Sequence, residues 1–159
     1  MMARPDAGEK ATPTSTQLLA EQAAQKMFLE DRASQSLGMR ILAVRPGYAK
    51  LAMTIRPEMT NGHATCHGGF IFTLADSAFA FACNSHNLRT VAAGCLIDFL
   101  APAYEGDELT AEATEQALAG RSGVYDVLVT NQKGQRIALF RGRSRQVGGT
   151  IVDTSHDAA

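Results

Sequence analysis

The sequence predicts an α+β domain in which a mostly antiparallel sheet curls around one long, buried helix. Three observations carry this reading. Residues 67–87, HGGFIFTLADSAFAFACNSHN, place apolar side chains on nearly every helical face, and a helix that is apolar all round belongs in a core. Before and after it, the hydrophobic period drops to two, the signature of strands. Glycine-bearing turns then punctuate the strands, as antiparallel neighbours require.

In chain order, Thr14 with Gln17 three residues on reads as a capping box, opening a helix over 16–34 whose stripe is Leu19, Ala23 and Met27. Gly38 stops it. Residues 39–45 and 48–55 flank Pro46-Gly47 and form a hairpin. In its second strand Ala49, Leu51, Met53 and Ile55 face one way, and Tyr48, Lys50 and Thr54 the other. Residues 56–66, with Pro57 and Asn61-Gly62, form a loop into the long helix. Four strands follow. Residues 90–101 are almost continuously apolar and suit a central strand covered on both faces. Residues 107–119, 122–132 and 135–147 alternate more openly, and Lys133-Gly134 turns the last two into a hairpin.

The chain has 159 residues, enough for one domain with a real core. The expected division is a disordered tail over 1–15, a single domain over 16–149 and a C-terminal tail over 150–159. Fifteen Lys and Arg against sixteen Asp and Glu give a net charge of −1, so nothing global draws the chain to nucleic acid or to an anionic membrane. Three cysteines without a CxxC pair argue against a disulfide framework. With no apolar leader and no membrane-length apolar stretch, a cytoplasmic location is the expectation.

Asp76 anchors the site argument. It is the only Asp, Glu, Lys or Arg between Gly68 and Leu88, and a carboxylate inside an apolar helix is costly unless something offsets it. It is read either as a buried residue bonded to Thr73, Ser77 or a backbone donor, or as a base or nucleophile beside a substrate. His67-Gly68-Gly69 opens the same helix. Unpaired N–H groups at a helix N-terminus, approached closely because glycine has no side chain, suit a polarised carbonyl oxygen; the plainer reading is a tight entry into the helix. Eight residues separate Gly68 from Asp76, about 12 Å along a helix. Both cannot serve one carbonyl from one helix, so cooperation calls for a second copy of the chain and sites shared across a dimer.

Asn61 could orient that carbonyl or a water, though Asn-Gly is also an ordinary turn. His63, Cys66 and His67 raise a metal site, but no carboxylate completes a set, and none is expected. Cys66 and His67 are adjacent and so a poor nucleophile pair. Arg141, Arg143 and Arg145 share one strand face, suited either to phosphates or to protecting an edge strand. Asp98 is open between a structural and a pocket role.

The motif running from Asn61 through His67-Gly68-Gly69 to Phe72-Thr73-Leu74-Ala75-Asp76 resembles that of hotdog-fold acyl-CoA thioesterases. The blocks AFAFACNS (78–85), IDFLAP (97–102), GVYD (123–126), ALFRG (138–142) and GGTI (148–151) are similar to the subgroup that acts on phenylacetyl-CoA and hydroxyphenylacetyl-CoA in bacterial phenylacetate degradation. The resemblance spans roughly residues 18–151. It implies a curved sheet around the long helix, paired chains that associate as a homotetramer, and hydrolysis of an aryl-acetyl-CoA to acid and CoA without a cofactor, CoA being part of the substrate. It implies that Gly68 polarises the thioester carbonyl, that Asp76 of the opposite subunit attacks it or activates water, that Asn61 lies near the water or carbonyl, and that His67 positions. It favours Gly69, Phe70, Gly123, Val124, Arg141 and Arg143 for substrate contacts, with Phe72 and Phe79 also shaping an acyl pocket. Some relatives carry a hydroxyl on the strand after the helix; here that stretch is Ala93-Gly94-Cys95. The alternatives are a thioesterase of broader range, a dehydratase of acyl thioesters, and an acyl-CoA-binding protein without turnover.

Overall fold

The computed structural model describes residues 14–154. The expected N-terminal tail therefore lies outside the described residues except for Thr14 and Ser15. Residues 155–159 of the C-terminal one lie outside as well. Helix α1 (Ser15–Glu30) begins as the capping signal implies, with the Thr14 hydroxyl accepting from the Gln17 N–H at 3.2 Å. The Gln17 side chain does not close the box. It donates to the Val44 carbonyl at 2.8 Å and so ties α1 to the first strand. The expected single helix is broken at Asp31, whose carboxylate accepts from the Ser34 N–H and hydroxyl and caps a second helix, α2 (Arg32–Ser36). An Asp prefers such a cap to a helix interior. The Ser34 hydroxyl also meets that of Ser77 at 2.9 Å, docking α2 on the long helix.

Strands β1 (Arg40–Arg45) and β2 (Tyr48–Thr54) form the hairpin, with Gly47 in the left-handed region at φ +71°. Ala49, Leu51, Met53 and Ile55 enter the core as the alternation requires. Tyr48 and Ala52 on the other face are buried too, Tyr48 beneath the Arg45 guanidinium with its hydroxyl donating to Glu112. A short 3₁₀ turn (Pro57–Met59) and a loop lead into α3 (Gly68–Asn84). Strands β3 (Leu88–Phe99), β4 (Glu108–Ala119), β5 (Ser122–Thr130) and β6 (Arg136–Thr150) complete one six-stranded antiparallel sheet in the order β1-β2-β4-β5-β6-β3. The sheet wraps α3, which packs against all six strands. Close packing depends on Gly142: a side-chain carbon there would stand 2.8 Å from the Phe79 ring, which is itself wedged between Tyr125 and Phe140.

Two strand expectations are corrected. The apolar run of 90–101 is not a central strand. It forms β3 at the sheet edge, paired only with β6, with Val91, Leu96 and Phe99 about half exposed or more. Period and composition report that a surface is apolar, not which chain covers it. Conversely, β6 is no edge strand, so edge protection does not explain its arginines; it lies between β5 and β3 and points Arg141, Arg143 and Arg145 outward. The β6 strand also runs to Thr150, past the expected domain end, and Asn87 holds the Ile151 and Val152 backbone beyond it.

Candidate active site

The loop before α3 is fastened at both ends. The Cys66 N–H donates to the Ala103 carbonyl at 2.7 Å and the His67 N–H to that of Met59 at 2.8 Å. Within the loop that the Met59–His67 bond closes, Asn61 organises the turn: its side-chain oxygen accepts from the His63 N–H, the Thr65 N–H and the Thr65 hydroxyl. The turn role therefore uses the amide oxygen. The amide nitrogen makes no hydrogen bond among the described residues and is left to donate elsewhere.

His67 is the N-cap of α3. Its Nδ1 accepts from the Gly69 N–H at 3.0 Å. In this geometry Nδ1 is engaged in holding the helix entrance. The Phe70 N–H donates to the His67 carbonyl. That accounts for two of the first amides and leaves the Gly68 N–H with no partner among the described residues. A free amide at the positive end of a 17-residue helix is the arrangement an oxyanion donor needs. Gly69 serves the cap, since a side chain there would press on His67 Nδ1 at 3.2 Å. A side-chain carbon at Gly68 would stand 2.9 Å from the tip of the half-exposed Phe99 ring, which would have to move aside. Phe99, Leu100 and Pro102 join Thr65, Cys66, Gly68 and Ile71 around a concavity of about 500 Å3. Phe70 sits against the core with its ring edge-on to His67. Phe79 is wholly core rather than pocket lining.

Asp76 is half-buried on α3. The plain structural partners are otherwise engaged: the Thr73 hydroxyl donates to the Gly69 carbonyl and Ser77 meets Ser34. Among the described residues no cation pairs with Asp76. Burial pushes its carboxyl above the usual range, and only a thiol opposes this: Cys95 Sγ on β3 lies 3.9 Å from Asp76 Oδ1. The sequence pointed to Ala93-Gly94-Cys95 only as a place without a hydroxyl; register puts Cys95 opposite Gly142, whose bare backbone lets the helix approach. Cys66 is a poor nucleophile here, since burial pushes its thiol up to about 11. Among the described residues no three His, Cys, Asp or Glu side chains gather to hold a metal.

Gly123 and Val124 lie opposite Ser144 and Arg143 across β5 and β6. Gly123 is buried and held to glycine by packing, with Ser144 Oγ 2.7 Å from where a side-chain carbon would stand. Arg141 is bidentate to Asp126 at 2.6 and 2.7 Å. Arg143 lies over Gly94 and makes no ion pair among the described residues. Asp98 is exposed beside an outer concavity that Asp126 and Arg141 also line. The candidate residues thus form three groups on one chain: the helix entrance (Asn61, His67, Gly68, Gly69, Phe70), Asp76 with Cys95, and the Gly123–Val124–Arg143 surface with Arg141 beside it.

Comparison with known proteins bears on what this arrangement does. Residues 63–138 match the model of the thioesterase superfamily. The acyl-coenzyme A thioesterase PaaI of Escherichia coli is 47% identical over 133 residues, which is 84% of this chain and 95% of the relative. A putative esterase of Archaeoglobus fulgidus is 38% identical over 86% of this chain and 89% of its own. The solved structure of the E. coli PaaI protein, from the phenylacetic acid degradation operon, superposes with a TM-score of 0.84 at 46% identity, covering 86% of this chain and 99% of that one. The chain therefore belongs to the thioesterase superfamily, and it is an acyl-CoA thioesterase of the hotdog fold.

Proposed function

We propose that this enzyme hydrolyses phenylacetyl-CoA and its ring-hydroxylated forms to the free acid and CoA, in the breakdown of aromatic acids. The observation that carries the mechanism is the pairing of an unpartnered Gly68 N–H with an uncompensated Asp76 about 12 Å further along the same helix. The two act on one thioester only if they come from different copies of the chain. The exposed apolar edge strand β3 supplies a surface for that pairing, and we take the working unit to be a dimer with composite sites, associating further as a homotetramer.

The Gly68 N–H receives the carbonyl oxygen and stabilises the charge that grows on it. The partner copy's equivalent of Asp76 supplies the attack. It either takes a proton from water, whose oxygen adds to the carbonyl carbon, or adds directly to give an anhydride that water then cleaves. On either path the carbon–sulfur bond breaks, the CoA thiolate leaves and is protonated, and the sum is thioester plus water to acid plus thiol. No cofactor is called on. Asn61 Nδ2 is available to hold the water or carbonyl, Gly69 and Phe70 border the acyl group, and Gly123, Val124, Arg143 and Arg141 lie where the CoA moiety would run.

The test is thiol release from phenylacetyl-, hydroxyphenylacetyl-, benzoyl- and straight-chain acyl-CoA, by wild type and Asp76→Asn in parallel. Release from the arylacetyl esters that disappears in a folded Asp76→Asn supports the reading. Equal release from all four classes leaves a thioesterase of broader range, and tight binding without release leaves a binding protein.

A further inference from the structure

Among the described residues, the one polar side chain that reaches Asp76 is a thiol. Cys95 lies on β3 where the strand pairs with Gly142 of β6. Two features of the backbone put it there. The β3–β6 register shifts between Ala92 and Gly94, adding a residue just before Cys95. Gly142 beside it has no side chain, so the Phe79 turn of α3 settles directly on the sheet. The Asp76 turn of the same helix is thereby brought within sulfur hydrogen-bond reach of Cys95, at 3.9 Å between Sγ and Oδ1. The other groups around this carboxylate are Cys83 on α3, held by burial as a thiol, and Arg143 on β6, which acts electrostatically on Cys95.

We infer that Cys95 is a positioning residue for the reaction, its S–H donating to Asp76 Oδ1 so that the carboxylate is held turned toward the substrate. The inference rests on the reading of Asp76 as the reacting carboxylate. A carboxylate that needs a free oxygen for catalysis is poorly served by a strong donor, which would occupy it and lower its basicity. A thiol is a weak donor. It orients one oxygen and leaves the other available. The effect is mutual: partial burial first, and then the Asp76 charge, push the Cys95 thiol up against the opposing pull of Arg143, which leaves it a donor rather than a competing nucleophile.

The contact is tested by substituting the donor while keeping the space filled. Cys95→Val removes the S–H and keeps the side chain's volume at this exposed position; Cys95→Ser retains a hydroxyl donor. Two readouts apply. One is the carboxyl carbon signal of Asp76 in aspartate-labelled protein, assigned by its absence in Asp76→Asn and followed with pH. The other is the pH dependence of kcat/KM. With Val, the Asp76 midpoint moves upward and kcat/KM on the acid limb falls about threefold more than on the plateau; with Ser, the midpoint returns to the wild-type position or below it. Superimposable Val and Ser titrations, in a protein whose Asp76→Asn variant is inactive, overturn the role of Cys95 alone. An active Asp76→Asn overturns the carboxylate reading itself, and the catalytic meaning of Cys95 with it.

Discussion

Two partly buried carboxylates in this chain, Asp76 and Glu115, have opposite surroundings. Glu115 sits on β4 at a bulge, where its Oε2 accepts from the Tyr125 hydroxyl at 2.7 Å and lies 2.7 Å from His86 Nε2. Its backbone N–H donates to the Gly47 carbonyl, and the Gly47 N–H donates in turn to the Ser85 hydroxyl. Glu115 thus joins β4 to β5 and the end of α3 through its side chain, and to the β1–β2 turn through its backbone. Among the described residues Asp76 has a single weak thiol contact and no cation. The difference teaches how to tell structure from chemistry in a core: a carboxylate held by strong donors from other elements ties the fold together, and one left without them is available for reaction.

The largest expected effect breaks the comparison if it fails. Asp76→Asn should lower turnover about a thousandfold without lowering the melting temperature. The sign follows from burial. The folded state holds the Asp76 carboxyl above its ordinary range, so its contribution to stability is full below the unfolded value and is lost as pH rises through the folded one. At pH 7 the ionised group is a cost, and a neutral amide removes it. Melting at pH 7 should therefore be unchanged or higher in Asp76→Asn, with any gain shrinking toward pH 4. A clear drop at pH 7 would put Asp76 in the same class as Glu115.

The converse substitution comes next. Glu115→Ala strands the hydroxyl of fully buried Tyr125 and the His86 ring. Leaving such groups unsatisfied costs about 1–3 kcal/mol, read as a lower urea midpoint at unchanged slope. Turnover per folded molecule should stay within about twofold of wild type. A loss of turnover with stability intact would give Glu115 a chemical role.

These two sites also differ in how far the sequence reveals them. Asp76 stands out in the linear chain because it is the only charge on an apolar helix, and His67-Gly68-Gly69 because glycines open that helix. Both are local signals. The Glu115 knot is assembled from residues 10 and 29 positions away, and none of its members is unusual among its sequence neighbours. Cys95 escaped for the same reason: its partner is 19 residues back and the contact depends on a bulge and on Gly142. The helix, the hairpins and their turn glycines were legible from period and turn chemistry. The position of β3 was not, since an apolar strand at an edge and one at a centre carry the same pattern. The arginines of β6 were legible as one face, but not which of them is already paired.

That last distinction repeats the contrast between satisfied and unsatisfied charge, on the outer surface and at smaller scale. Arg141 and Asp126 hold each other in a bidentate pair, which keeps the Asp126 carboxyl below its usual range. A phosphate approaching Arg141 meets a guanidinium whose charge is already balanced by a neighbour of the phosphate's own sign. Arg143, two residues along the same face and opposite Val124, has no such partner among the described residues. If the CoA phosphates run over this surface, Arg143→Ala should raise KM for CoA esters about fivefold with kcat unchanged, and Arg141→Ala about twofold or less. Raising the ionic strength to about 1 M should draw the two variants and wild type together, because screening removes what an exposed charge contributes. Asp126→Asn supplies the opposite sign: freeing Arg141 should lower KM at low salt. An Asp126→Asn enzyme with unaltered KM would place the phosphates away from Arg141, and an Arg143→Ala enzyme with unaltered KM would move them off this face altogether.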